Sequence, residues 1–294
     1  MMDAPPSIAL IGASGTLGSL IATALERRGE AARLISRSPE RLDAGLHSRV
    51  KADLDQPETL PPALAGIETL ILITAESPRQ DRQGIAAIHA AQQCGVTRVV
   101  LLSAMLAGTT SRRERHFGGQ HARIEQALAK GGMDHAILRP GFFMQSFFML
   151  LRDLRRGRLI APVPHGRVAF VDARDVAEAA AIAALSGSSQ TAPFVLTGAE
   201  AYSFAQVAAA LSLVAPRPIR HIAPPLWLAR LILAMTQGRY AAANLEYLFT
   251  SLEAGREAEP TSDLARLLGR PPTSLSAFAE RDMRPALALR SSSS

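Results

Sequence analysis

The chain has 294 residues, 48% hydrophobic and 20% charged, the composition of an ordinary soluble globular protein with room for one large domain plus an appendage, or for two domains. A single cysteine, Cys94, excludes an internal disulfide and a cysteine-rich metal site. The net charge of +6 comes from arginines that are densest at Arg112, Arg113 and Arg115 and at Arg152, Arg155, Arg156 and Arg158; without interleaved aromatics they do not make a nucleic-acid footprint.

No apolar run approaches the ~18 residues of a membrane span. The start, MMDAPPS, lacks a basic region followed by an apolar one, so the expected setting is the cytoplasm, away from any membrane.

Taken in order, Ser7 to Ile11 reads as a buried strand that feeds glycines at 12, 15 and 18, with a helix from near Thr16 to Arg28. Glycine is needed where φ is positive or where a ligand approaches the main chain, and a helix N-terminus offers free N–H groups to a pyrophosphate. A plain structural turn is the competing account, because the spacing is G-x-x-G-x-x-G and not G-x-G-x-x-G.

Ala31 to Ile35 reads as a second strand ending in Ser36-Arg37-Ser38-Pro39-Glu40-Arg41. An NAD site usually carries an acidic residue here for the ribose 2′-hydroxyl; arginine suits a 2′-phosphate, so NADP(H) is expected over NAD(H). Otherwise Arg37 is a solvated loop charge.

A third strand, Arg49 to Ala52, leads to Asp53, placed either against an adenine or as a helix cap, and Pro57 opens a helix. Thr69 to Thr74 is apolar on both faces, as a central parallel strand is, and it ends at the carboxyl edge where ligands bind. A helix from Gln80 to Cys94, a strand from Val99 to Leu102, a polar basic loop over 104–119, a helix from Gln120 to Lys130 and a strand from Asp134 to Leu138 follow. The basic run at 111–116 is a candidate lid. Phe142, Phe143, Phe147 and Phe148, with Met144 and Met149, then form either core or an apolar pocket.

Beyond Gly157 come a short strand at Val168 to Phe170, a helix from Arg174 to Leu185 and a strand from Phe194 to Leu196. From Ala201 onward helices dominate, at about 203–214, 224–237, 240–253, 262–268 and 274–284, with an extended piece at Pro218 to Ile222. The expected fold is α/β, a Rossmann-type doubly wound parallel sheet over 5–200, a smaller and mainly helical C-terminal lobe over 201–286, and a disordered tail over 287–294.

GASGTLG at 12–18, LISRSPER at 34–41, ADL at 52–54, RVVLLSA at 98–104, HARIEQAL at 121–128, LRPGFFMQSF at 138–147, FVDARDVA at 170–177 and LTGAEAYSFAQVAAALS at 196–212 together resemble the NmrA-like branch of the atypical short-chain dehydrogenase/reductase family. TSDLARLLGRPPTSLSAFAERD at 261–282 looks like that branch's C-terminal signature. The branch includes quinone and triphenylmethane reductases and redox-sensing regulators.

The resemblance implies that Gly12, Ser14, Gly15, Thr16, Leu17 and Gly18 cradle the pyrophosphate and that Arg37 and Arg41 meet a 2′-phosphate. It implies further that Asp53 and Leu54 flank the adenine, that Thr74 and Ala75 follow the ribose, and that Pro140, Gly141, Phe142 and Phe143 border the nicotinamide. Ser103 stands at the family's catalytic serine.

The family's Tyr-x-x-x-Lys pair is absent: Phe117 holds the tyrosine position and His121 the lysine position. A phenyl ring has no proton to give, so Ser103, His116 or His121 must substitute or the relay is missing. His121 is either a partner of the nicotinamide ribose or a surface histidine; its spacing from His116 is wrong for a metal pair.

The leading expectation is an NADPH-dependent reductase that passes hydride to a quinone-like or other conjugated, apolar aromatic molecule, with Met105, Phe117, Phe143 and Phe147 as acceptor-pocket residues. The alternatives are a non-catalytic NADP(H) sensor acting through a protein partner and a non-redox isomerase or cyclase on the same scaffold. Homodimer formation is left open.

Overall fold

The computed structural model describes residues 7–43, 45–109, 116–187 and 192–288. By packing, the chain forms two units: the first holds 1–140, 173–195 and 266–269, the second 141–172, 196–265 and 270–294.

The first unit begins with β1 (Ile8–Ile11), α1 (Thr16–Glu26), β2 (Ala32–Ser36), β3 (Ser48–Lys51), α2 (Leu60–Leu64), β4 (Thr69–Ile73), α3 (Gln80–Gln93), β5 (Arg98–Leu102), α4 (Phe117–Lys130) and β6 (Asp134–Pro140). The chain then passes through α5 (Leu151–Leu154), β7 (Arg158–Ile160) and β8 (Arg167–Val168), and returns for α6 (Ala173–Leu185) and β9 (Phe194–Leu196). It ends with β10 (Tyr202–Ser203), α7 (Phe204–Ser212), β11 (Arg220–Ile222), α8 (Leu226–Thr236), α9 (Arg239–Glu253), α10 (Asp263–Leu268), α11 (Leu275–Phe278) and α12 (Arg284–Ala288).

The sheet order is β3-β2-β1-β4-β5-β6-β9, and neighbouring strands from β3 through β6 pair in parallel. The order reverses beside β1, which places a crevice at the carboxyl ends of β1 and β4. β5 is buried along its whole length because helices cover both faces of the sheet. Ala9, Ile11, Leu70, Leu72, Val99 and Leu101 turn one way, towards α2, α3 and α4. The alternate residues turn the other way, where α1 packs on α6. Arg98, at the start of β5, donates from Nε and Nη2 to the Ala183 carbonyl of α6 at 3.2 and 3.0 Å.

In the second unit β7 pairs parallel with β11 and β8 antiparallel with β10. Ser203 caps α7 in a reciprocal capping box with Gln206. Phe170 centres the core, with ring centroids 5.3 Å from Phe147, 5.8 Å from Phe142 and 5.6 Å from Phe204.

The expected elements are present within a few residues of their expected ends, with instructive differences. Helix α4 starts at Phe117, three residues before the expected Gln120, because Gly118 and Gly119 are buried and packing overrides glycine's poor helix propensity. The aromatic stripe is a 3₁₀ run, Met144–Leu150, in which residues three apart share a face; Met144 and Phe147 are therefore buried while Met149 is exposed. The sequence pattern places one boundary near 200, whereas 141–172 packs with the later helices, partly through the β7–β11 pairing. The tail expected over 287–294 begins later than that, because Leu287 and Ala288 belong to α12 and Leu287 is buried; its remainder, and the basic run up to Arg115, lie outside the described residues. No helix among the described residues is long and apolar enough to cross a membrane.

Candidate cofactor site

The site in the first unit starts at the turn after β1. Gly12 has φ of 87°, a conformation that disfavours a side chain, and a Cβ there would lie 2.7 Å from the Ile73 carbonyl oxygen of β4. A Cβ at Gly18 would come within 2.2 Å of the Gly12 carbonyl oxygen, so the first turn of α1 can lie against the loop only if position 18 is glycine. Gly15 differs. Its Cβ would meet only the Gly12 oxygen, at an ordinary 3.5 Å.

Gly15 is the N-cap of α1; no side chain bonds the helix's first N–H groups, and no acidic residue stands in its first turn. Ser14, Gly15 and Thr16 are exposed there. Uncapped N–H groups at the positive end of the helix dipole fit a diphosphate.

A cleft of about 340 Å³ opens beside this turn and is lined by Gly12, Ser14, Arg37, Asp53, Leu54 and Ala75, all among the expected cofactor residues. Arg37 is exposed at the end of β2 and makes no ion pair or hydrogen bond among the described residues. Arg41 sits on the following 3₁₀ turn, is exposed, and is not among the lining residues.

Asp53 does not cap a helix, since Gln56 stands at the N-cap of the 3₁₀ turn at Pro57 and Thr59 at that of α2. Asp53 lines the cleft, and its Oδ1 accepts the Asp55 N–H at 3.0 Å, closing the turn that precedes α2. Arg79 and Gln83 line the cleft as well, although the sequence pattern does not single them out; both hold Asp55, at 3.0 and 2.9 Å. Their positions in and just before α3 give no signal in the sequence beyond being polar.

At the end of β4, Gln80 donates from Nε2 to Thr74 Oγ1 at 3.1 Å, and the same nitrogen lies 3.0 Å from His121 Nε2. With both amide hydrogens so used, His121 Nε2 is the acceptor and Nδ1 carries the proton. That Nδ1 is buried and unpartnered among the described residues. Burial lowers the His121 pKa from 6.5 to about 4, against the opposing pull of Glu125, so the imidazole is neutral near pH 7. His121 therefore faces the interior and not solvent.

Ser103, at the end of β5, donates its hydroxyl to Glu125 Oε1 at 2.5 Å. Arg139 grips the same carboxylate through Nε at 2.9 Å and Nη2 at 2.5 Å. Phe117 is half-buried at the start of α4, and Met105 is half-buried in the 3₁₀ turn after β5.

Of the residues beyond β6, Pro140 ends the strand in the first unit, while Gly141, Phe142 and Phe143 belong to the second. Phe147 is 1% exposed and lies in the ring cluster around Phe170. The Phe142 N–H donates to Glu257 Oε2 at 2.7 Å. Glu257 is 4% exposed, and burial lifts its carboxyl to about 7 despite that hydrogen bond, which favours the ionised form. Nothing in the sequence marks Glu257, because its partner is 115 residues away.

Residues 12–185 match the model of an NAD(P)H-binding family. The NAD(P)H azoreductase of Xenophilus azovorans is 29% identical over 93% of this chain and 96% of its own. A (4-alkanoyl-5-oxo-2,5-dihydrofuran-3-yl)methyl phosphate reductase of Streptomyces griseus is 30% identical over 90% and 93%, and quinone oxidoreductase 2 of Escherichia coli is 28% identical over 70% and 73%.

Among solved structures, the triphenylmethane reductase of Citrobacter sp. complexed with NADP(H) matches with a TM-score of 0.81 at 21% identity, covering 94% of this chain and 99% of that one. The E. coli quinone oxidoreductase complexed with NADPH matches at 0.80 and 23%, covering 93% and 98%. The glycine turn, the uncapped helix and the cleft are what such a cofactor needs, and the chain belongs to the NAD(P)H-binding reductases, in the NmrA-like branch of the atypical short-chain dehydrogenase/reductase family.

Proposed function

We propose that the protein is an NADP(H)-preferring reductase that passes hydride to a conjugated, apolar aromatic acceptor of the quinone type, without a tyrosine-based proton relay. The observation that carries the cofactor preference is Arg37: an exposed guanidinium lining the cleft, engaged by no carboxylate among the described residues, where an NAD site would present an acid. Gly12, Ser14 and the first N–H groups of α1 hold the diphosphate, and Arg37 takes the 2′-phosphate. When bound, the nicotinamide supplies hydride.

The groups near the expected reacting end are poor proton donors. The Ser103 hydroxyl is donated to Glu125, the His121 imidazole is uncharged, and Phe117 has no acidic hydrogen. These residues orient and exclude water but do not deliver a proton. An acceptor whose reduced form takes its proton from solvent suits that chemistry, and the relatives include an azoreductase and a quinone oxidoreductase. The test is loss of NADPH absorbance with the pure protein and a panel of quinones. Turnover above background that NADH supports poorly is the expected result.

The same lack of a proton donor favours a second reading, a sensor that binds NADP(H) without turnover. Its mark is tight binding that distinguishes oxidised from reduced cofactor, with no reaction across the panel.

A further inference from the structure

A second cleft, of about 550 Å³, lies wholly within the second unit and has no part in the cofactor site. Its volume is within the ~300 to 1,000 Å³ usual for small-molecule pockets. Four of its walls are prolines: Pro162 and Pro164 from the segment after β7, and Pro224 and Pro225 from the segment before α8. Phe249 of α9 supplies an aromatic ring.

Proline fixes φ, so walls built from it are ordered before a ligand arrives, and binding loses little chain entropy. The proline rings and the Phe249 ring are apolar and poor in hydrogen-bonding groups, which suits an apolar ring system that can lie along them.

One charged group lines this cleft. Glu253 Oε2 accepts the His165 and Gly166 N–H groups at 3.1 and 3.0 Å, which fixes the carboxylate in place. Its Oε1 has no hydrogen-bond partner among the described residues. A carboxylate held at an apolar wall repels an anionic ligand and leaves a neutral one unaffected.

We propose that this proline-walled cleft binds a flat aromatic molecule free of anionic groups, and that Glu253 sets the discrimination against anions. The proposal goes beyond the reductase reading and does not depend on it, since the cleft uses none of the cofactor residues.

Calorimetric titration without any nicotinamide compares naphthol with naphthalene sulfonate. The intact protein should bind naphthol at least about tenfold more tightly than the sulfonate. Ala254, exposed at the end of α9, lines the cleft, and Ala254→Phe should weaken naphthol binding by about tenfold or more with the unfolding temperature unchanged. Should that variant fail to fold, Ala223→Phe fills the same space from another segment.

Glu253→Gln keeps an acceptor oxygen for both N–H groups and should bring the sulfonate to within about threefold of naphthol. Naphthol binding that survives both filling substitutions, no binding to the intact protein, or equal affinity for the two probes would each overturn the proposal. Because nicotinamide is absent throughout, none of these results bears on hydride transfer.

Discussion

Gln80 and His121, 41 residues apart, meet Nε2 to Nε2 at 3.0 Å in the interior of the first unit, where burial holds the imidazole in its neutral form. Burial keeps a residue that usually titrates near neutrality uncharged, and the contact with the Gln80 amide leaves the ring proton on Nδ1. A folded-state pKa of about 4 lies below the ordinary 6.5, so the unfolded chain binds the extra proton.

Stability from this site is therefore complete above pH 6.5 and is lost as the pH falls towards 4. The upper bound is about 3 kcal/mol. Urea unfolding at pH 7 and pH 5 should show His121→Gln losing less stability between the two than the unaltered protein does. An imidazole proton resonance of His121 that titrates near 6.5 would contradict the assignment.

Glu257 works in the opposite direction. Its carboxyl is raised to about 7 from 4.5, so its stability is present below pH 4.5 and is lost as the pH rises through 7. Glu257→Gln keeps an acceptor for the Phe142 N–H and removes the buried charge. Thermal unfolding should show the variant more stable than the parent at pH 8, by up to about 3 kcal/mol, and nearly equal to it at pH 4. A variant less stable at pH 8 would show that the ionised carboxylate is needed.

The glycines of the turn should separate by role. Gly18→Ala forces a Cβ within 2.2 Å of the Gly12 carbonyl oxygen and should cost more than about 2 kcal/mol, read by urea denaturation without ligand. Gly15→Ala meets only a 3.5 Å contact and should leave stability within about 1 kcal/mol. If the two variants are equally stable, the close approach of α1 to the loop is not what position 18 secures.

Much of the fold was legible because its signals are local. The apolar runs of β1, β4 and β5 and the glycines at 12, 15 and 18 each lie within a few consecutive residues, and the structure places Gly12, Ser14, Arg37, Asp53, Leu54 and Ala75 around one cleft. What was not legible depends on long-range pairing.

Gln80 gains meaning only beside His121, Arg79 only beside Asp55, and Glu257 only beneath Phe142. The Phe142 to Met149 stripe is ambiguous for another reason: apolar residues show no preferred face until the 3₁₀ geometry buries Met144 and Phe147 and exposes Met149.

The measurement that bears most directly on the cofactor site is a calorimetric titration of NADPH and NADH into the intact protein and into Arg37→Asp. A guanidinium bonded to the 2′-phosphate contributes about 1.5 to 3 kcal/mol. NADPH should bind the intact protein more tightly than NADH, and Arg37→Asp should weaken NADPH by about ten- to a hundredfold while leaving NADH within about threefold. Equal affinity for the two cofactors, or equal loss of both in the variant, would contradict the role assigned to Arg37.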